Sequence, residues 1–69
     1  MDITTIPTQE LLDDKAESLA DIEVCELALL HNIVSYSRGS VQYRLDTNRD
    51  IVAVIDAELA RRAFDADVA

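Results

Sequence analysis

The sequence of 69 residues contains little of what a fold other than packed helices requires. It has one glycine, one proline and one cysteine, and its aromatic residues are two tyrosines and one phenylalanine. So few turn-forming residues disfavour a many-stranded β fold. A lone cysteine excludes a disulfide within the chain, and the absence of a Cys/His cluster leaves no structural metal site. We therefore predict no metal and no cofactor.

The chain also lacks targeting and membrane signals. Its start, Met1–Thr5, has neither the basic residues nor the apolar run of a signal peptide. No apolar stretch approaches the roughly 18–20 residues that a membrane-spanning helix needs. We expect a soluble, cytoplasmic protein without a membrane partner.

Basic residues are scarce in the first half of the chain. The net charge is −8, and up to Ser37 eight acids face Lys15 alone, whereas from Arg38 onward five arginines face six acids. Phosphate backbones repel such a surface, so direct nucleic-acid binding is not expected. An acidic surface either keeps the protein soluble or binds a basic partner. An acidic inhibitor of a basic, nucleic-acid-binding host protein is therefore one alternative function.

Alanine, leucine, isoleucine and valine supply most of the apolar content, which favours helices packed on helices. A first helix is predicted from about residue 8 to 31, with Thr8 as its N-cap after Pro7 and His31 near its C-terminus. Its front half carries an apolar stripe at helical spacing. That stripe consists of Leu11, Leu12, Ala16, Leu19 and Ile22.

The second helix has two possible starts. With Ser40 as N-cap, apolar residues stay in phase from Val41 onward, which predicts a connector at 32–39 and a helix from about 40 to 64. The stripe is Val41, Leu45, Val52, Ile55, Leu59 and Ala63, with Asn48 among them. Alternatively, residues 33–37 and 40–44 form two strands around Arg38-Gly39.

The unbroken phase favours an all-α fold, a single domain over residues 1–69 in which two antiparallel helices form a hairpin. The alternative is an α+β fold, helix–β-hairpin–helix.

Residues from Val24 to Leu30 are apolar nearly all round the helix, and one partner helix cannot cover them. We therefore predict that the core is completed by self-association into a four-helix or larger bundle, as a homo-oligomer or in a larger protein assembly. The predicted interface comprises Val24, Leu27, Ala28, Leu30, Val52, Ile55 and Leu59.

Catalytic signals are weak. On a helix the six-residue spacing turns Cys25 and His31 about 240° apart, so they do not form a nucleophile–base pair. Cys25 lies among leucine and valine, which is typical of a buried small apolar residue. The sequence predicts no enzyme and no catalytic residue.

The serine-rich segment before the second helix is the one candidate ligand site. Backbone N–H groups at a helix start attract anions, arginines can clamp phosphate, and a glycine permits close approach. The possible anion-binding residues are Tyr36, Ser37, Arg38, Gly39, Ser40 and Arg44. A small nucleotide- or anion-sequestering protein is thus a second alternative function. In the structural interpretation, Gly39 makes a turn and Ser40 caps the helix.

A long acidic helix is followed by a short Val-Ser-Tyr segment, a glycine, a Val-x-Tyr segment and a helix with Ile-x-x-Glu-Leu. The residues concerned are Ile33–Tyr36, Gly39, Val41–Tyr43, Arg49 and Val54–Leu59, in about the latter half of the chain. This layout resembles the small head–tail joining proteins of tailed phages. The resemblance implies a ring-forming structural protein of the virion with a β-hairpin at its middle. The function predicted is a self-associating, non-enzymatic structural or interaction module, such as a phage virion assembly or accessory protein.

Overall fold

The computed structural model describes residues 2–31 and 38–68, and side chains over 2–31 and 39–66. A 3₁₀ turn, Ile3–Thr5, precedes two long helices, α1 (Thr8–Leu30) and α2 (Arg38–Val68). No strand occurs among the described residues. The predicted all-α fold is confirmed: α1 and α2 form a helical hairpin.

Contacts along the hairpin show that its helices are antiparallel. Lys15 near the start of α1 pairs with Asp56, and Asp21 further along pairs with Arg44, nearer the start of α2. Near the start of α1, Thr8 contacts Arg62, towards the end of α2. Residue numbers therefore rise along α1 while they fall along the facing part of α2.

One seam between the helices forms the core, and its residues recur at heptad spacing. On α1 the buried positions Leu11, Ser18 and Cys25 are seven residues apart. Such a repeat keeps one stripe of a helix against its partner over several turns. On α2 the seam consists of Val41, Leu45 and Ile55, which are buried, and of Asn48, Val52, Leu59 and Arg62, which are half-buried. Cys25 is 1% exposed, which confirms that it is a buried small apolar residue.

Helix α1 begins one residue earlier than its predicted cap allows. Thr8 is already helical and Pro7 occupies the cap position, where its carbonyl accepts from the Leu11 N–H at 3.1 Å. The Thr8 hydroxyl accepts from the Arg62 guanidinium at 2.8 Å. The prediction of Thr8 as N-cap was therefore wrong. At the other end α1 stops at Leu30, and the His31 N–H donates to the Leu27 carbonyl at 2.9 Å.

Helix α2 begins at Arg38, so Gly39 and Ser40 lie inside its first turn. Neither the predicted Gly39 turn nor the Ser40 N-cap is present. Residues 40–44, the second strand of the alternative β-hairpin, are helical because the apolar phase that begins at Val41 matches a helix facing α1. The first strand of that alternative, 33–37, lies outside the described residues. Helix α2 also runs past the predicted end at 64 to Val68, with an ion pair between Arg61 and Asp65 in its last turns.

The hairpin is a rod. Its Cα radius of gyration is 15.0 Å, against about 11 Å for a compact domain of this length. Its accessible surface is 5010 Å², whereas a compact monomer of 7.7 kDa exposes about 4,300 Å². Two helices that form a single layer, with no second layer packed on them, therefore leave a large surface in contact with solvent.

Candidate interaction surface

The predicted interface residues divide into two groups. Ala28 and Ile55 are buried in the seam, and Val52 and Leu59 are half-buried there. The other three, all on α1, are open to solvent: Val24 is 59% exposed, Leu27 47% and Leu30 75%.

Leucines line up along one side of α1, outside the seam. At about 100° per residue, Leu12, Leu19 and Leu30 lie on one line, roughly 100° around the helix from the seam, with Leu27 beside them. We call these four residues the leucine face. Leu12 is 43% exposed and Leu19 47%. The predicted front stripe is therefore split, because Leu11 and Ile22 enter the seam while Leu12 and Leu19 do not.

Three residues of the leucine face, Leu19, Leu27 and Leu30, form one wall of an open groove of about 750 Å³ between the helices. Ile22, Leu29 and Leu45 are the residues of the seam that line this leucine groove. Charged residues also line it: Glu23 and Glu26 from α1 and Arg49 from α2. Within the described part of the chain, these three side chains form no ion pair with one another or with other residues.

A second groove, of about 620 Å³, lies on the other side of the two-helix layer and shares no lining residue with the first. Ile3 and Ile6 of the N-terminal segment line it together with Ile51 and Val54 of α2. We call it the N-terminal groove. Its two charged lining residues, Asp14 and Asp50, are both acidic.

Polar contacts also cross the seam between the helices. The Asn48 amide donates to Asp21 Oδ2 at 2.6 Å and to the Arg44 carbonyl at 2.9 Å, and Arg44 forms an ion pair with the same Asp21 carboxylate. Lys15 Nζ lies 2.5 Å from Asp56 Oδ1. Because the hydrogen bond from Asn48 to Asp21 joins the two helices, it favours one register of the helix pair.

A charge cluster at the open end of the hairpin was missed by the sequence analysis. Glu58 is only 6% exposed, and its carboxylate accepts from Arg61 at 2.7 and 2.9 Å and from Arg62 at 2.6 Å. These hydrogen bonds, with Arg61 contributing most, lower the pKa of Glu58 to about 2. The same contact raises the pKa of Arg61. Arg61 and Arg62 therefore both pair with an acid of their own helix, Glu58, which lies about one turn away.

Arg62 also holds the N-terminal segment. Its Nη2 group donates to the Ile3, Thr4 and Ile6 carbonyls at 3.2, 3.4 and 2.6 Å. The Asp2 side chain caps the 3₁₀ turn by accepting from the Thr4 N–H at 3.0 Å and the Thr4 hydroxyl at 2.7 Å, which lowers the pKa of Asp2. One guanidinium thus joins α2 to the N-terminal segment, whose Ile3 and Ile6 line the N-terminal groove.

The possible anion site is only partly described. Tyr36, Ser37 and the side chain of Arg38 lie outside the described residues. Gly39 and Ser40 are exposed on the first turn of α2. Arg44 points to α1, where it pairs with Asp21. The structure therefore gives one of the two proposed phosphate-clamping arginines an acidic partner.

Metal sites and membrane-spanning helices are both absent from the residues that the structure describes. Over 2–31 and 38–68, no three His, Cys, Asp or Glu side chains are grouped so that they could hold a metal ion. None of the helices in these ranges is long and apolar enough to cross a membrane.

By its fold, the chain is an all-α antiparallel helical hairpin with an apolar groove on each side. Comparison with known protein families, with curated proteins and with solved structures found no match.

Proposed function

We propose that this protein is a non-enzymatic structural or interaction module that acts by self-association. The observation that supports it is the leucine face, on which Leu19, Leu27 and Leu30 are each about half exposed or more. Aligned apolar side chains bordered by charged ones are typical of protein–protein contact sites. Removing such a leucine from water contributes on the order of 1 kcal/mol when the side chain was half exposed.

The rod shape supports the same proposal. A two-helix layer has no second layer against which to bury its outward apolar residues, and most domains need at least two packed layers around a core. A second hairpin laid on the first supplies that layer and yields a four-helix bundle.

Sedimentation equilibrium over a concentration range from about 1 to 200 µM, which covers micromolar dissociation constants, tests the proposal. We expect a mass above that of the 7.7 kDa chain, decreasing on dilution. A folded monomer at every concentration would overturn self-association. Circular dichroism on the same samples establishes that the protein is helical.

The resemblance to phage head–tail joining proteins supports a finer proposal, that the self-associated protein serves in assembly of a phage virion. The β-hairpin that it implies is absent at Val41–Tyr43, which are helical, so the proposal concerns the assembly role alone. Mass spectrometry of purified phage particles from a host carrying the gene tests it. Recovery only in the lysate, with none in the particles, would count against it.

A further inference from the structure

We propose that a second copy of this chain occupies the leucine groove in one orientation. In that orientation, a two-fold axis runs parallel to the helices, so that α1 of each copy packs antiparallel on α2 of the other. The inference rests on the proposed self-association and adds the face and the arrangement.

The distribution of charge between the helices favours this arrangement. Helix α1 carries seven acids and one lysine, whereas α2 carries six acids and five arginines. Packing α1 on the α1 of another copy brings together two strongly acidic helices. Packing α1 on α2 places an acidic helix beside a nearly neutral one, which reduces the repulsion.

In the proposed two-fold arrangement, the charged residues that line the groove of one copy complement those of the second copy. Because Asp21 contacts Asn48, Glu23 and Arg49 lie within about one helical turn of each other along the rod. A two-fold axis parallel to the helices leaves the position of each residue along the rod unchanged. It places α2 of the second copy opposite α1 of the first. Arg49 of the second copy therefore comes to the level of Glu23, and the reciprocal pair forms across the axis.

Two other arrangements fit less well. An axis perpendicular to the helices lays α1 on α1 and brings Glu23 and Glu26 towards the same acids of the second copy. Docking at the N-terminal groove brings Asp14 and Asp50 of each copy together. In both, unpaired like charges approach in an interface, which is unfavourable.

The available area is sufficient for a stable pair. The rod measures 52 by 21 by 15 Å, so its broad face exceeds the approximately 800 Å² that each partner contributes to a standard interface. Four helices in this arrangement alternate in direction around the bundle, as in common four-helix bundles.

A charge exchange between copies tests the arrangement. Glu23→Arg alone and Arg49→Glu alone each place like charges at both reciprocal contacts of the dimer. We expect each variant to dissociate about tenfold more readily than the parent at low salt, which corresponds to about 1.4 kcal/mol. In an equimolar mixture every contact is again between opposite charges, so a heterodimer should form with the affinity of the parent. Sedimentation, with one of the two variants carrying a mass tag, measures the affinities of the two homodimers and of the heterodimer.

Glu17→Arg is the matched control, because it makes the same charge change on α1 at an exposed residue that does not line the groove. Glu17→Arg should associate with the affinity of the parent, and a mixture of this variant with the parent should show no preference for the heterodimer. If the two variants associate no more tightly when mixed than each does alone, the proposed arrangement is overturned, while self-association of the parent still stands. A parent that forms trimers or larger closed species would also overturn it. A monomeric parent would remove the proposed function itself.

Discussion

Glu58 shows how a single residue acquires its ionisation from its surroundings. A carboxylate that is 6% exposed is costly to bury unless charged donors compensate for the lost water, and two guanidinium groups do so here. Its folded pKa of about 2 lies below its usual value of 4.5. The ionised form is therefore favoured by folding.

We predict an acid-dependent loss of stability from this residue. A carboxylate whose pKa is lower in the folded protein stabilises it fully above the unfolded pKa, near 4.5, and loses that contribution as the pH falls towards 2. Urea unfolding should therefore show a lower midpoint at about pH 2.5 than at about pH 6. Glu58→Gln removes this titration while Asp2, whose pKa is also lowered, still titrates.

The variant should be less stable than the parent near neutral pH and should show a smaller fall on acidification. An equal fall in both proteins would contradict the role given to Glu58.

At the scale of the elements, Arg62 connects parts that are far apart in sequence. Its guanidinium bonds Glu58 on its own helix, Thr8 at the start of α1 and three carbonyls of the N-terminal segment. The charged guanidinium supplies hydrogen bonds to the carbonyls of a segment whose Ile3 and Ile6 line the N-terminal groove. The position of that segment therefore depends on α2.

We predict that Arg62→Ala releases the N-terminal segment from the hairpin. Hydrogen exchange at Ile6 and over the first turn of α1 should quicken, and stability should fall by about 1–3 kcal/mol, as for loss of charged hydrogen bonds. Arg61→Ala is the matched control, since Arg61 bonds Glu58 and Asp65 and none of the described N-terminal carbonyls. Equal exchange in the two variants would contradict a specific role for Arg62.

At the scale of the whole molecule, the hairpin exposes more surface than a compact chain of its mass, and part of the excess is leucine. Binding of a second copy to the folded form alone raises the apparent stability by mass action. Stability of a self-associating hairpin is thus a property of concentration as well as of sequence.

We predict that the melting temperature rises with protein concentration, measured by circular dichroism over a hundredfold range. Leu30→Asp should abolish the dependence, because a carboxylate on the leucine face must lose water when the second copy docks. Val24→Asp is the control on α1, since Val24 is similarly exposed but does not line the leucine groove. Loss of the dependence in both variants would mean that the leucine face is not the contact.

Sequence reasoning predicted the two helices and much of the seam. Heptad-like phase from Val41 to Leu59 identifies the stripe of α2 that faces α1, and Asn48 within that stripe lies between the helices as its position indicates. Cys25, surrounded by apolar residues, is buried as predicted. These features depend on local periodicity, which a sequence contains.

Only the tertiary structure decided which apolar residues of α1 stay uncovered and how the charges pair. Leu27 and Ala28 are neighbours in an apolar run, yet one is exposed and the other buried, because coverage depends on where α2 lies. The contacts of Arg62 join residues more than fifty positions apart and require the chain to return on itself. The sequence alone therefore determined a helical hairpin rich in apolar side chains. The packing of its two helices decided that a leucine groove, lined at its edges by acids and one arginine, remains open.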